Sequence, residues 1–382
     1  MIAILKREWK SYFQNITGWL FIAAVLALYG LYFLAYNLRA GYPYVSYTLS
    51  AISFIMLIAV PILTMRSMAE ERHSRTDQLV LTAPVSLGKM IFGKFLAMVG
   101  VFTVAVAVIA VTPLVLAAFG TVPMGENYVA VLGFWLYGCT CIAVGMLASA
   151  LTESQVIAAV VAFAFLFLGY MMNSITGLIG DHLITKVLGA YDLYTPLQSF
   201  MSGCLDLTGV VYFVSVTALC LFLTCQCVQK RRWSMTTKKL TTGMFSVAMI
   251  VVGFAVAVAV NLVVKEMPSS WTAVDATSTK LYSLTDTTKD YVKNLSQDVT
   301  IYVLSSEKSA DSTLAETLQR YEDLSKHLNV VYKDPAKSPN FYQQYTDSAP
   351  SQNSMIVVSD ARSRVVDYSD IYVPVAQGFT RL

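Results

Sequence analysis

The sequence predicts an all-α polytopic membrane bundle followed by a C-terminal α/β domain, and three observations carry that expectation. Apolar residues make up 56% of the 382 and charged residues only 13%, with a mean hydropathy of +0.58, too hydrophobic for a soluble chain of this length. Uncharged runs occupy residues 11–38, 40–65, 95–125, 127–152, 154–180, 207–229 and 240–264. Each exceeds the roughly 20 residues that carry a helix across a hydrocarbon core of ~30 Å. Residues 266–382 contain no such run and hold 15 acidic against 11 basic side chains. The net charge of +3 therefore divides into +7 for the first 265 residues and −4 for the tail.

Residues 1–15 place Ile2, Leu5, Trp9 and Phe13 at helical spacing with Lys6, Arg7 and Lys10 between them. This pattern predicts an amphipathic helix lying in the membrane interface, with Trp9 near headgroup level; a plain basic flank to the first span is the alternative. The first apolar run is long and follows this charged helix, which fits a retained anchor better than a cleaved leader. A short turn at Gly41, Tyr42, Pro43 and Tyr44 joins the first two spans, and Pro61 and Pro113 each remove a backbone hydrogen bond within a span. Gly133, Gly138, Ala143, Gly145 and Ala148 make the fourth span one of small residues, suited to close helix approach.

Residues 66–94 form a connector too long and too charged for its task, with Arg66, Glu70, Glu71, Arg72, Arg75 and Asp77 crowded together before Pro84. Its length predicts a helix that offers a surface to something outside the chain. Residues 171–206 are too polar to cross the bilayer fully and too apolar for an exposed loop, so they predict one or two short helices resting at, or dipping into, the opposite interface.

Thirteen lysines and arginines fall in the segments on one side of the spans, at 6–10, 66–94 and 230–239, whereas only Arg39 and Lys186 fall in the loops on the other. Basic residues resist translocation, so the N-terminus is expected in the cytoplasm. Seven spans then put residues 266–382 outside it. The six cysteines lie in or beside spans, as expected of small hydrophobes, and His73, His182 and His327 stand apart from any second ligand at metal-binding spacing.

The tail reads as alternating elements: a helix over 283–295, a strand over 299–306, and a helix over 311–328 with Leu314, Leu318, Tyr321, Leu324 and Leu328 on one stripe. Strands over 329–335, 354–360 and 363–373 follow, with a short helix near Phe341. Strand, helix, strand at this spacing predicts a parallel βαβ unit, and the last two strands a hairpin around 360–363.

No phosphate-binding glycine loop occurs; Leu87-Gly88-Lys89-Met90 lacks both the earlier glycine and the hydroxyl that such a loop needs. No metalloprotease, nucleophile-elbow or C-x-x-C pattern is present, and Asp275, Asp286, Asp290 and Asp298 are scattered acids. No catalytic residue, cofactor site or metal site is therefore assigned to this chain.

In overall order the chain resembles the permease of a type-2 ABC exporter: basic in-plane helix, two spans, charged segment, then further spans with a polar stretch before the last. AEERHSRTDQLVLTAPVSLGKMIFGKF over residues 69–95 is close to that family's E-E-R, G-T, L-L-T-x-P-V-S and G-K-F pattern, and departs from it at Arg75, where glycine is usual. In the tail, LYSLTDTTKDYVKNLSQDVTIYVLSS over residues 281–306, with the helix and strand after it, is similar to the extracytoplasmic auxiliary component of gliding-motility-associated ABC transporters. The seventh span, fitting neither six-span core nor tail, would deliver the one to the other.

The resemblance implies a domain plan of in-plane helix (1–15), six-span permease (16–229, with coupling segment 66–94 and outer segment 171–206), basic linker and seventh span (230–265), and extracytoplasmic domain (266–382). It implies a bacterial plasma-membrane protein that pairs with a second permease copy, identical or paralogous, and with a cytoplasmic ABC ATPase holding the ATP and Mg²⁺. Glu70, Glu71, Arg72, Arg75, Thr76, Asp77 and Leu79 would form the coupling surface, with Arg72 or Arg75 pairing to the in-plane helix or to the ATPase. The same charges could instead only pin the loop to the headgroups. The tail would meet an extracytoplasmic protein or cargo, and nucleic acid is no partner. Two other functions stay open: a mechanical relay that moves no solute, and a membrane-tethered enzyme with its site in the tail.

Overall fold

The computed structural model describes residues 2–75, 86–179, 188–233, 239–265, 267, 272–275, 286–295, 297–306, 310–335, 338–346, 348–359 and 362–371. They form two compact units, Met1–Glu266 and Met267–Gln377. The first contains seven helices long and apolar enough to cross a membrane, the number that the uncharged runs predict.

The first unit begins with α1 (Ile2–Gln14), turns at Asn15 and enters α2 (Ile16–Phe33), which continues as a π-helix over Leu34–Arg39. The turn is tight because Gly18 has no side chain: a Cβ there would lie 2.5 Å from the Tyr12 carbonyl oxygen. The second span, α3 (Val45–Thr64), holds Pro61 inside its last turn, and α4 (Arg66–His73) follows almost without a break. The third span is α5 (Leu87–Ile109), so Lys89 and Lys94, expected in the connector, belong to its first turns. Pro113 does not kink this span from within. The helix ends at Ile109 and a new one, α6 (Thr112–Ala117), begins with Pro113 in its first turn, where a missing N–H costs nothing.

The fourth span, α7 (Met124–Leu151), is the hub, packing against α3, α5, α8 (Gln155–Ile179), α9 (Tyr194–Met201) and α10 (Leu207–Trp233). Its small residues explain this. A Cβ on Gly138 would lie 2.2 Å from the Phe102 ring, one on Gly133 2.3 Å from Phe200, and one on Gly145 2.3 Å from the Thr64 hydroxyl. The glycines expected to permit close approach thus receive one side chain each from three different elements. The seventh span lies in α11 (Lys239–Lys265), with its apolar part, Ala248–Lys265, unburied. Asn261 Nδ2 donates to Ser215 Oγ of α10 at 2.7 Å.

Residues 171–206 are not all short helix, because the fifth span takes the first nine of them. Helix α8 runs on to Ile179, a 3-10 turn covers Gly189–Tyr191, and α9 dips into the bundle with Leu193, Leu197 and Phe200 buried. Leu193 N–H donates to the Gly169 carbonyl at 3.0 Å, and Asp192 Oδ1 accepts from the Tyr194 and Thr195 amides at the start of α9. His182, Lys186 and the rest of 180–187 lie outside the described residues.

Two buried asparagines that the sequence reading did not single out clamp the turn between spans one and two. Asn37, brought inward by the π-helix, donates to the Tyr42 and Tyr44 carbonyls at 2.8 and 3.0 Å and accepts from the Thr48 hydroxyl at 2.7 Å. Asn127 of α7 accepts from Val45 N–H at 2.6 Å and donates to the Pro43 carbonyl at 3.1 Å. Irregular backbone at the end of a span needs such partners, because a lost hydrogen bond there is not replaced by water.

The second unit contains α12 (Asp286–Lys293), β1 (Val299–Val303), α13 (Ser312–Glu322), β2 (Leu328–Tyr332), β3 (Met355–Ser359), β4 (Ser363–Val366) and the single turn α14 (Tyr368–Ile371). Strand order is β2-β1-β3-β4. The β1–β2 pair is parallel across α13, and β3–β4 is an antiparallel hairpin, both as expected. Two expectations need correction. Helix α13 stops at Glu322 and Leu328 opens β2, because the chain turns at Ser325 before the stripe is complete. Strand β4 ends at Val366 and gives way to α14, where Asp367 accepts from Ser369 N–H. The core still gathers Leu314, Leu318 and Leu328 with Val292, Ile301 and Val303, since strand and helix bring them to the same sheet face.

Candidate coupling site

The charged connector folds first as a consequence of what precedes it. Helix α3 presses straight into α4, so the backbone between them stays helical and exposes no free end. At the junction Ser149, near the end of α7, uses one hydroxyl three ways: it accepts from Met68 and Ala69 N–H at 3.1 Å each and donates to the Met65 carbonyl at 3.0 Å. This fixes the axial position of α4 against the hub.

Lys94 then fixes its rotation. Its side chain is buried eight residues into α5, and Nζ lies 2.6 Å from Glu71 Oε1, 3.0 Å from the Ser67 carbonyl and 3.8 Å from Glu8. An ammonium removed from water needs such partners. Glu8 belongs to α1 and also binds Arg7 at 2.7 Å, while Arg7 lies 3.8 Å from Glu71. The carboxylate of Glu8 holds the Arg7 guanidinium more basic than usual. Burial in the same corner pushes the Tyr12 phenol well above its ordinary value, with Glu8 adding to the effect, so it stays neutral.

Two further arginines close the arrangement. Arg66 grips Glu70 through two hydrogen bonds of 2.7 and 2.8 Å and reaches the Thr17 hydroxyl at 3.1 Å, tying α4 to the start of α2. Arg72 donates to the Ala150 carbonyl at 3.0 Å and to Glu153 at 3.3 Å, covering the C-terminal end of α7. Arg7, Glu8, Arg66, Glu70, Glu71 and Lys94 line an open cavity of about 570 Å³ between α1, α4 and α5, with Ser11, Tyr12 and Thr17 on its wall.

Of the expected coupling residues, Glu71 and Arg72 are therefore committed inward and Glu70 to Arg66. The projecting part of α4 is its tip, where His73, Ser74 and Arg75 are exposed. Arg75 has a left-handed backbone with φ of 57°, and its N–H returns to the Arg72 carbonyl at 3.1 Å. The departure from glycine thus falls on a helix-ending position whose geometry favours glycine. Thr76, Asp77 and Leu79 lie outside the described residues.

Helix α1 exposes Lys6, Arg7 and Lys10. Trp9 leans its ring over α5, where a Cβ on Gly100 would lie 1.7 Å from it, and lies tilted at 5.2 Å against Phe13, which in turn meets Trp19 edge-on at 5.3 Å. Ile2 faces outward, so the apolar stripe read from the sequence is divided between protein and surroundings. The sequence reading missed the roles of Glu8, Lys94 and Ser149. Only Lys94 carried a signal: a lysine followed at once by a long apolar run, once buried, demands a partner.

Comparison with known proteins follows this division of the chain. Residues 278–373 match a domain of unknown function (DUF7088). No curated protein matches the chain. Residues 36–228, from the π-helix to the end of the sixth span, match the ABC-2 family transporter protein family, and on that match, which covers half of its length, this multi-pass membrane protein belongs to the ABC-2 transporter family.

Proposed function

We propose that this chain is the permease subunit of an exporter-type ABC transporter, driven through α4 by a separate cytoplasmic ATPase. The observation that carries the reading is the rigid mounting of α4: Ser149, Lys94, Arg66 and Arg72 bind it to α7, α5, α2 and the edge of α8 at once. A push on the α4 tip would then move these spans as one body instead of bending a loop. Family membership supports the partners, since permeases of this kind generally work with a cytoplasmic ATPase and often as dimers. The thirteen-to-two placement of basic residues supports a cytoplasmic α4 and an extracytoplasmic tail. Pairing with a second copy, and resemblance of the tail to gliding-motility auxiliary components, belong to the same proposal.

The test is association with the cytoplasmic ATPase that this reading requires. Arg75→Glu at the exposed tip is expected to weaken copurification and ATPase stimulation, and a cysteine at position 75 to cross-link to the ATPase. Unchanged association together with no cross-link anywhere from His73 to Arg75 would count decisively against docking on α4.

The relay reading has one observation in its favour. The buried polar side chains Asn37, Thr140 and Asn127 of the spans bond to the chain's own groups, so these three are not offered to a passing solute. ATP-dependent efflux from proteoliposomes containing both subunits would exclude it.

A further inference from the structure

The second unit carries a cleft of about 530 Å³ on the helix-bearing face of its sheet, within the range usual for small-ligand sites. Its floor is apolar, supplied by Ile301, Met355 and Val357 from the strands and by Val292 and Leu295 of the α12 region. Among the described residues, the charged side chains lining it are Arg362 and Arg364, and none is acidic.

The placement of the arginines follows from register. Val330, Ile301, Val357 and Arg364 stand opposite one another across β2, β1, β3 and β4, so one row of the sheet runs from apolar interior to a guanidinium at its edge. Arg362 lies two residues earlier, which puts it on the same sheet face. The hairpin turn fixes it there: Ser359 N–H donates to the Arg362 carbonyl at 2.9 Å, and Arg362 N–H returns to Ser359 at 3.3 Å. Both arginines are exposed, as is Tyr291 across the mouth.

An apolar slot with two cations on one rim is complementary to a molecule with one apolar chain and one anionic head. We propose that this cleft binds such an amphiphile, of the class of a long-chain carboxylate, with the head held between Arg362 and Arg364 and the chain lying on Ile301 and Val357. Arginine suits the head because its planar fork meets a carboxylate through two hydrogen bonds. The site is independent of the ATPase-driven reading, and either can fail without the other.

The experiment uses the full chain in phosphatidylcholine nanodiscs, with a diazirine-bearing hexadecanoic acid and the matching alcohol as probes. Labelling of tail peptides is mapped by mass spectrometry and divided by labelling of span peptides in the same sample, which cancels differences in partitioning. The acid is expected to label peptides containing Val292 and Val357 in excess over the alcohol. Arg362→Glu with Arg364→Glu should cut that excess about tenfold, as expected for losing a charge-assisted hydrogen bond, whereas Arg362→Lys with Arg364→Lys should keep most of it. Equal labelling by acid and alcohol would overturn the proposal. So would indifference to the charge reversal, or displacement of the probe by an acidic apolar peptide but not by dodecanoate.

Discussion

Lys94 and Glu71, twenty-three residues apart, meet at 2.6 Å in a corner where the lysine side chain is almost wholly removed from water. The two are unequal partners. Glu71 keeps some exposure and has Arg7 at 3.8 Å, whereas Lys94 without Glu71 retains the Ser67 carbonyl and a carboxylate at 3.8 Å.

Removing one partner of a buried pair costs on the order of 3–5 kcal/mol, because the other charge stays buried. Glu71→Gln is therefore expected to destabilise more than Lys94→Met, and the double variant less than the sum of the two. Thermal unfolding of the three purified proteins, treated as a double-mutant cycle, checks this; strict additivity would show that the pair is not coupled.

Arg75 should be the position where a substitution helps. A left-handed conformation costs an L-residue about 1 kcal/mol that glycine does not incur. Arg75→Gly is expected to raise the protection of the Ser74 and Arg75 amides in hydrogen exchange, and Arg75→Val to lower it.

Gly100 should tolerate nothing large while Trp9 is present. Gly100→Leu must displace the indole and with it α1, so protease cleavage within residues 6–10 should rise and tryptophan emission shift to the red. Combining Trp9→Ala with Gly100→Leu should restore resistance to the protease. Equal cleavage of the single variant and the parent would mean that α1 is not held by this contact.

At the other end of α7, Asn127→Leu leaves Val45 N–H without its acceptor and should cost about 1–3 kcal/mol. Asn127→Asp keeps that acceptor but turns a buried carboxylate toward the Pro43 and Pro123 carbonyls, so it should cost more at neutral pH. Relative melting temperatures of the detergent-solubilised variants decide the order.

Asp367 in the second unit gives a dependence on pH. Hydrogen bonds, first from the Ser351 hydroxyl and then from Ser369, hold its carboxyl below the ordinary aspartate range. A carboxyl with a depressed folded value contributes stability above its unfolded value of about 3.9, and that contribution disappears as pH falls through the folded one. Ser351→Ala should therefore make the β3–β4 hairpin less protected at neutral pH, with the difference from the parent vanishing in strong acid.

What the sequence made legible was set by composition and period. Seven spans, the parallel βαβ pair and the hairpin follow from runs and alternation that each segment carries within itself. The site was legible only as a place. Glu71 and Arg72 look like surface charges in sequence because nothing local shows that Lys94 and the end of α7 will arrive beside them. Ser149 and Asn127 gave no signal for the same reason: a polar side chain's partner is chosen by tertiary neighbours, up to some eighty positions away. Leu328 shows the reverse case, in which the element was misread and the burial was right.

Helix α7 is secured at its two ends by unlike chemistry. Near its start the amide of Asn127 makes neutral bonds, indifferent to ionic strength; near its finish an exposed ion pair, Arg72 to Glu153, stands beside the neutral bonds of Ser149. Salt screens exposed charges and leaves amide bonds alone. Raising the salt concentration should thus weaken the Arg72–Glu153 pair alone and leave α7 held by a hydroxyl at one end and an amide at the other, seated in a way that ionic strength does not reach.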